Sequence, residues 1–316
     1  DPAPRLRSVS TFAPATVANL GPAFDFLGCA VDVLGDTASL SVDSSIPPGT
    51  LSISSITRLR LDPLWNCAGI AAIAVMRMLS VRSVGLSLSL HKGLPLGSGL
   101  GSSAASAAAA AIAVNALFGD PLSPADLILA GLESEKKVSG YHADNIAPAI
   151  MGGFALIRSY TPLDIIHLEF PADKDLFFVL VSPDFEAPTK KMREALREEV
   201  TMKEHVRNSS QAAALVAAVL QGDARVLGSA MSCDEIVEPR RAPLIPGMVE
   251  VKRAAIEAGA FGCTISGAGP TAVAVIDSEE KGKEIGVRMV EAFLAAGKLN
   301  ASVTVARLDR IGARVI

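Results

Sequence analysis

Residues Pro95 to Ser103 (PLGSGLGSS) have the composition of a loop that binds an anion. Gly97, Gly99 and Gly101 would let the backbone approach a ligand and point several N–H groups into one concavity. An alanine-rich segment follows at once, and a helix there would add its free N–H groups and the positive end of its dipole. This combination predicts a site for a polyphosphate. A purely structural turn is the alternative, which we disfavour because ordinary turns rarely need so many glycines before a helix.

Two other phosphate-binding loops fit this segment less well. It lacks the lysine of the GxxxxGK[ST] loop. Residues 99–104 (GLGSSA) match the dinucleotide pattern GxGxxA, but that pattern follows a parallel strand buried on both faces. Here the preceding residues alternate with serine, and the acidic residue about 20 positions later would be Asp120, in a predicted turn.

A strand and two helices must position this loop. Residues 83–91 (SVGLSLSLH) alternate between apolar and polar types, which predicts a strand with one buried face. Ser102 and Ser103 are expected to cap a helix that ends near Gly119. Ser123 is expected to cap a second helix over residues 124–138.

The rest of the chain alternates strands and helices. We predict strands at 154–158, 176–181 and 272–276, and helices at 190–197, 209–220, 248–257 and 281–296. The polar, proline-containing residues 163–173 suggest a domain boundary, which gives domains 1–165 and 166–316. The pattern indicates an α+β fold in which helices cover a sheet.

Composition excludes several classes of function. The 316 residues are enough for two domains, and the net charge of −4 argues against a nucleic-acid partner. The apolar stretch 104–116 is shorter than the ~20 residues that a membrane span needs, so no membrane partner is expected. The chain opens at Asp1 without a signal-like segment, and we expect that processing has removed what came before.

The cysteines carry no metal or redox pattern. They are Cys29, Cys67, Cys233 and Cys263. No two stand in a CxxC spacing and no histidine cluster accompanies them, so we expect buried, reduced thiols and a reducing compartment.

Three segments together resemble the motifs of the GHMP kinases, a superfamily of small-molecule kinases. They are residues 13–25 (APATVANLGPAFD), the glycine-rich loop with its helix, and residues 262–271 (GCTISGAGPT). Residues 19–22 (NLGP) and 142–148 (HADNIAP) are similar to the versions found in members that phosphorylate homoserine. Residues 179–193 and 238–247 resemble the plant members. The resemblance covers essentially the whole chain.

The resemblance implies a two-domain GHMP kinase fold, with a ribosomal-protein-like N-terminal α+β domain and a ferredoxin-like C-terminal domain. It implies ATP as phosphoryl donor and L-homoserine as acceptor, bound in the cleft between the domains. The nucleotide-binding residues that it implies are Asn66, Pro95, Gly97, Ser98, Gly99, Leu100, Gly101, Ser102 and Ser103.

The resemblance also implies Mg²⁺, held by Ser103 and Glu135. Hydroxyl and carboxylate oxygens are hard ligands that suit this ion. From the residues alone, Glu135 would be placed on a solvated helix face, since Glu133, Lys136 and Lys137 surround it. Ser103 alone could be only a helix cap.

The substrate residues implied by the resemblance are Asn19, Asp25, His142, Asn145, Arg193, Arg241 and Gly267. Asp25 suits the ammonium group of homoserine, and the two arginines suit its carboxylate, because a guanidinium group binds a carboxylate through two parallel hydrogen bonds. Surface arginines and a structural histidine are the alternatives.

Asn145 and Asp25 are the candidate catalytic residues. Several relatives place an aspartate base where this chain has Asn145, and asparagine cannot accept the proton. We therefore expect no side-chain base, so that the hydroxyl proton leaves to a phosphate oxygen or to water.

Two positions depart from the family pattern. Ala23 stands where glycine is usual, and a positive φ there would cost about 1 kcal/mol or more. Val33 also replaces a more usual glycine, and we expect no consequence.

The likeness to plant members implies a homodimer in the plastid stroma that acts in threonine biosynthesis. Two rival functions stay open. One is a kinase for another small alcohol such as mevalonate, which has no ammonium group to match Asp25. The other is a catalytically inactive homologue that only binds ligands.

Overall fold

The computed structural model describes residues 1–56, 61–138 and 140–316. Within these ranges the strands form one sheet of seven strands and one of four. The strands are β1 (Ser8–Ala18), β2 (Leu27–Val42), β3 (Leu51–Ile56), β4 (Leu86–His91), β5 (Phe154–Tyr160), β6 (Leu163–Leu168), β7 (Phe177–Pro183), β8 (Gly262–Ile265), β9 (Ala272–Ile276), β10 (Ala301–Arg307) and β11 (Arg314–Val315). The helices are α1 (Cys67–Met78), α2 (Ser102–Leu117), α3 (Pro124–Val138), α4 (Ile146–Met151), α5 (Thr189–Glu194), α6 (Met202–Gln221), α7 (Ala224–Met231), α8 (Glu238–Arg241), α9 (Met248–Glu257) and α10 (Glu279–Ala292).

The larger sheet is mixed. Its order is β11-β1-β2-β4-β3, while β5 pairs with the far end of β2 and β6 pairs with β5. In β4, Leu86, Leu88 and Leu90 are buried and Ser87 and Ser89 are partly exposed, so the predicted one-sided strand is confirmed. It runs antiparallel to β2 and parallel to β3, unlike the doubly buried strand that a dinucleotide site requires.

Helix α2 lies between this sheet and helices α1 and α3. Almost every one of its side chains is buried, and their small size allows neighbouring backbones to pack closely. The residue before its first turn is Gly101 (φ 65°), and no side chain caps the helix. The expectation that Ser102 and Ser103 cap this helix is therefore wrong. Both belong to its first turn, which frees their hydroxyl groups for other contacts.

The smaller sheet has the antiparallel order β10-β7-β9-β8. Together with its crossing helices this is the split β-α-β arrangement of ferredoxin-like folds. Residues such as Val179 and Ala274 pack under α9 and α10 on one face. Phe178, Leu180 and Val273 face the other way and join the core of the larger sheet, which also receives α6 and α7. The α+β class and the helix-covered sheet are confirmed.

Several element boundaries differ from expectation. The residues from Leu163 that we expected to be a connection form β6, so the larger sheet continues past the expected division at 165/166, and β11 returns to it. Helix α6 begins at Met202 because Thr201 and Glu204 form a capping box, a signature that is visible in the sequence. Helix α10 ends at Ala292 and continues as a π-helical turn.

The two departures from the family pattern behave opposite to expectation. Ala23 lies outside the left-handed region, so the condition under which alanine would be strained there is not met. Val33 has φ 73°, a conformation that a β-branched residue rarely adopts, at an irregular step in the pairing of β2 with β1. The expectation of no consequence at Val33 is wrong, because this position carries the strain.

All four cysteines are free thiols. Cys29 and Cys263 are buried as expected, whereas Cys67 and Cys233 are only partly buried. Burial raises the pKa of the Cys67 and Cys263 thiols to about 12. In the described part of the chain, no helix has the length and apolarity needed to cross a bilayer.

Candidate functional site

A cavity of about 460 Å³ opens between the two sheets. The glycine-rich loop forms one wall, and the turn at residues 267–269 forms another. Trp65, Asn66 and Cys67, at the start of α1, also line it, together with Glu135 of α3 and Asn145. Segments that lie far apart in the chain therefore meet around one space.

The glycine-rich loop needs its glycines for two reasons. Gly97, Gly99 and Gly101 have φ of 64°, 81° and 65°, where other residues are strained. A Cβ atom on Gly99 would lie 2.5 Å from the carbonyl oxygen of Ser266, and one on Gly101 would lie 1.9 Å from Thr16 Oγ1. The loop thus packs against the first and third motifs while it lines the cavity.

Ser103 and Glu135, the two predicted magnesium ligands, lie next to each other. The Ser103 hydroxyl donates to Glu135 Oε1 at 2.9 Å, and both residues line the cavity. Glu135 is only 3% exposed, whereas its neighbours Glu133, Lys136 and Lys137 are exposed. The solvated-face alternative for Glu135 is therefore excluded.

The chemistry of this pair fits an ion that also takes ligands from phosphate and water. Among the described residues, no group of three or more acidic, histidine or cysteine side chains is placed to hold a metal on its own. Within the described ranges, Ser102 Oγ is a buried hydroxyl oxygen without a hydrogen-bond partner, and Ser102 directly precedes Ser103 of the Ser103–Glu135 pair. A phosphate oxygen would satisfy such a group.

A cluster of charged residues lies beside the cavity. Arg193 Nη1 and Nη2 donate to the two carboxylate oxygens of Asp25, each at 2.9 Å. His142 Nδ1 lies 3.5 Å from the same carboxylate, and burial lowers the pKa of this histidine. Asn19 Oδ1 accepts the Asp25 N–H at 3.0 Å and fixes the left-handed turn on which Asp25 stands.

Arg241 belongs to the same cluster. Its guanidinium carbon and that of Arg193 lie 4.9 and 5.2 Å from the centre of the Phe24 ring. Arg241 Nη1 and Asn19 Nδ2 both donate to the carbonyl oxygen of Gly267, at 3.1 and 2.8 Å. Burial and the positive charge of Arg193 lower the pKa of Arg241 to about 10, so it remains a cation at neutral pH. Arg241 is 2% exposed, which excludes the surface alternative for this arginine.

Asn145 and Gly267 connect the charged cluster to the cavity, which both residues line. Asn145 Oδ1 accepts a hydrogen bond from the Thr16 hydroxyl at 2.8 Å. This contact ties the start of α4 to β1. Contacts therefore connect Asn19, Asp25, His142, Arg193, Arg241 and Gly267 in one cluster, and of the predicted substrate residues Asn145 and Gly267 line the cavity.

The predicted nucleotide residues differ in their placement. Asn66 lines the cavity, but its side-chain oxygen accepts the N–H groups of Ala68 and Gly69 and so caps α1. Leu100 is buried in the core and does not line the cavity. Pro95 also lies outside the lining.

Two charged residues of the site were missed by the sequence reasoning. Lys92 lines the cavity and its ammonium donates to Ser102 O and Ser106 Oγ, both at 2.8 Å. Asp144 is buried, and this burial, with the negative charges of Asp25 and Glu135, raises its pKa to about 7. The available signals were a lysine directly before the glycine-rich loop and an acid directly before Asn145.

Comparisons with known proteins identify the family. Residues 66–153 match the model of the GHMP kinases N terminal domain, and residues 215–296 match that of the GHMP kinases C terminal domain. A homoserine kinase from Arabidopsis thaliana is 72% identical over 100% of this chain and 86% of its own length. One from Chlorobium phaeovibrioides is 42% identical over 98% of this chain and 100% of its own.

Solved structures show the same likeness. The crystal structure of homoserine kinase from Cytophaga hutchinsonii has a TM-score of 0.91 and 39% identity, and covers 99% of this chain and 98% of that one. A mevalonate kinase from L. major, solved in complex with R-mevalonate, has a TM-score of 0.74 at 18% identity, with 98% of this chain and 99% of that one covered. The second likeness concerns the fold alone.

Proposed function

The chain belongs to the homoserine kinase family of GHMP kinases, and from this premise we propose that it phosphorylates L-homoserine with ATP. The side-chain hydroxyl oxygen attacks the γ-phosphorus in line, the bond from that phosphorus to the β-bridging oxygen breaks, and ADP leaves. The products are O-phospho-L-homoserine, ADP and one proton.

One observation carries the proposal. The Ser103–Glu135 pair lines the cavity, and the cluster of Asp25, Arg193 and Arg241 adjoins it through Gly267, whose carbonyl oxygen accepts from Arg241. Metal ligands and groups for an amino-acid zwitterion are thus placed where a phosphoryl group would pass between them. Phosphoryl transfer depends mainly on such positioning and on neutralisation of charge.

The glycine-rich loop is proposed to cradle the polyphosphate with its N–H groups, next to the amino end of α2. When bound, Mg²⁺ supplies Lewis-acid neutralisation of the β- and γ-phosphate charges. Ser103 and Glu135 would be its protein ligands, and the remaining positions suit phosphate and water. Asn66 would line the adenine end of the cavity.

The amino acid is proposed to bind at the charged cluster. Asp25 would take its ammonium group, and Arg193 and Arg241 its carboxylate. Asn19 and Asn145 would orient the hydroxyl group, with His142 and Gly267 at the edge of the site. Asn145 cannot accept a proton, and its oxygen is engaged by Thr16. The hydroxyl proton is therefore proposed to leave to a phosphate oxygen or to water.

The rival functions have weaker support. Mevalonate carries no ammonium group to replace Arg193 on Asp25, whose carboxylate binds two guanidinium N–H groups. An inactive homologue would not need a buried carboxylate paired with a hydroxyl group at the phosphate loop. We also propose that the protein is a homodimer that acts in threonine biosynthesis in the plastid, supported by its likeness to the Arabidopsis protein.

The test is a coupled assay of ADP release with MgATP, comparing L-homoserine, L-serine, mevalonate and no acceptor. We expect turnover with homoserine well above the other three reactions. Turnover with mevalonate instead would establish the first rival. No turnover with any acceptor, despite binding of MgADP measured by calorimetry, would establish the second.

A further inference from the structure

A buried carboxylate lies beneath the floor of the cavity. Asp36 of β2 is fully buried, and its two oxygens are held by four donors. Oδ1 accepts the N–H groups of Gly93 and Leu94 at 3.1 and 3.2 Å, at the start of the glycine-rich loop. Oδ2 accepts the Ser106 hydroxyl at 2.6 Å and the ammonium of Lys92. Asp36 therefore joins β2, the loop and helix α2 at one point.

Lys92 is the member of this pair that lines the cavity. Its side chain is only 6% exposed, and its ammonium also donates to the carbonyl oxygen of Ser102 in the first turn of α2. Lys92 lines the cavity, whereas Asp36 does not. The cation of the pair thus lies beside the amino end of α2, where an anion is favoured.

The charge of Lys92 depends on Asp36. Burial lowers the pKa of Lys92, and the nearby Asp36 carboxylate is the main influence that opposes this shift. Cys67 is the other titratable group facing the ammonium, and its thiol, with a pKa of about 12, is uncharged at neutral pH. A buried ammonium that loses its partner tends to lose its proton or to leave its place.

We propose that Asp36 is a positioning residue for the polyphosphate chain of the nucleotide. It acts through Lys92, which it holds charged in the floor of the cavity, and through the N–H groups that start the glycine-rich loop. The inference rests on the proposed function only in taking this cavity as the nucleotide site.

Asp309 offers a matched control in the same half of the molecule. It is 5% exposed and accepts the N–H groups of Ile311 and Gly312 at 2.9 and 2.8 Å, and Arg314 Nη1 at 2.9 Å. It is thus a buried aspartate that binds two backbone N–H groups and one cation, but it does not line the cavity. Asp36→Asn and Asp309→Asn each remove a buried negative charge that binds two backbone N–H groups and a cation, next to the cavity in the first case and away from it in the second.

The experiment measures the Kd of MgADP by calorimetry, the Tm, and the KM values for ATP and homoserine in the wild type and both variants. We expect both variants to lower the Tm. Asp36→Asn should weaken MgADP binding and raise the KM for ATP about tenfold or more, with the KM for homoserine changed less than about twofold. Asp309→Asn should leave the Kd of MgADP within about twofold of the wild-type value.

Equal effects of the two variants on MgADP, or none from Asp36→Asn, would overturn the proposal. A wild type that fails to bind MgADP would instead overturn the proposed function. The pH dependence of MgADP affinity adds a second measurement. If Asp36 had a purely structural role, Asp36→Asn would leave this dependence as in the wild type. In Asp36→Asn, MgADP affinity should fall as the pH rises from about 7 to about 9, more steeply than in the wild type, because Lys92 loses its proton more readily.

Lys92→Met provides a second route if Asp36→Asn does not fold. It keeps the length of the side chain and removes the charge that Asp36 is proposed to hold. We expect the same loss of MgADP affinity, about tenfold or more. Wild-type affinity in Lys92→Met would overturn the proposal whatever the fate of the aspartate variant.

Discussion

Arg193 and Asp25 bind each other through two parallel hydrogen bonds, Nη1 to Oδ2 and Nη2 to Oδ1, both of 2.9 Å. These are the side chains proposed for opposite ends of the amino acid. A zwitterion can give each of them a new partner when it enters between them. A ligand with only one charge would separate the two side chains but give a charged partner to only one of them. The other would be left unpaired in a partly buried site, which costs binding free energy.

Arg193→Met should therefore impair use of homoserine selectively. We expect the KM for homoserine to rise about tenfold or more, with the KM for ATP within about twofold, because the carboxylate loses a charge-assisted pair of bonds. Arg197→Met is the matched control, since Arg197 is half exposed and pairs with Glu204. A homoserine KM that is equal in the two variants would contradict the assignment of Arg193 to the substrate.

Removal of the proposed metal ligand should affect the chemical step. Glu135→Gln keeps the shape of the side chain but loses the charge, and we expect kcat to fall by a factor on the order of 10² or more. The concentration of Mg²⁺ needed for half-maximal activity should rise in parallel. Glu133→Gln, on the exposed face of the same helix, should change neither quantity. A wild-type Mg²⁺ requirement in Glu135→Gln would exclude the carboxylate as a ligand.

Many of the helices and strands could be predicted from the local sequence. Helices α3 and α9 and strand β9 have the predicted bounds, because each has regular periodicity and a clear end signal. The three family motifs were also sufficient to predict the family, which the comparisons confirm. The edge strand β6 was missed because its polar residues and the nearby proline are typical of a connection.

The electrostatics of the site could not be predicted in the same way. Asp36 and Lys92 are 56 positions apart, and only the pairing of β2 with β4 makes them neighbours. Asp144 has no sequence feature that distinguishes a buried acid from an exposed one. Burial and the proximity of unlike segments decide these cases, and both are properties of the folded chain.

Val33 holds a conformation that costs stability. Its φ is 73° and its side chain is 68% exposed, so little packing offsets the strain. We expect Val33→Gly to raise the free energy of unfolding by about 1 kcal/mol, measured by urea denaturation. Val303→Gly, at an exposed position of β10 with ordinary backbone angles, should lower it by about 0.5 to 1 kcal/mol. A loss of stability in Val33→Gly would show that the strain is relieved in solution.

Asp144 should make stability depend on pH. Its pKa is raised from 3.8 to about 7, so between these values the folded state holds the proton more tightly than the unfolded chain does. The wild type should therefore lose stability as the pH rises from about 4 to about 7, and no more above that.

Asp144→Asn abolishes this titration. The free energy of unfolding of this variant minus that of the wild type should rise from about pH 4 to about pH 7 and then stay constant. Urea denaturation at several pH values measures this difference. Asp173→Asn, at an exposed position, is the matched control. A flat difference for Asp144→Asn would mean that Asp144 is ionised in the fold at no extra cost.

The pH dependence of kcat should show no general base at Asp25 or Asn145. Asn145 Oδ1 already accepts the Thr16 hydroxyl, and the Asp25 carboxylate, bound by Arg193 in the free protein, is proposed to pair with the substrate ammonium and not with the hydroxyl group. With both substrates saturating, we expect Asp25→Asn to lower kcat without removing any acidic limb of the wild-type profile. A limb near pH 7 would belong to Asp144 and should vanish in Asp144→Asn. A limb that disappears only in Asp25→Asn would make Asp25 the base and overturn proton transfer to phosphate or water.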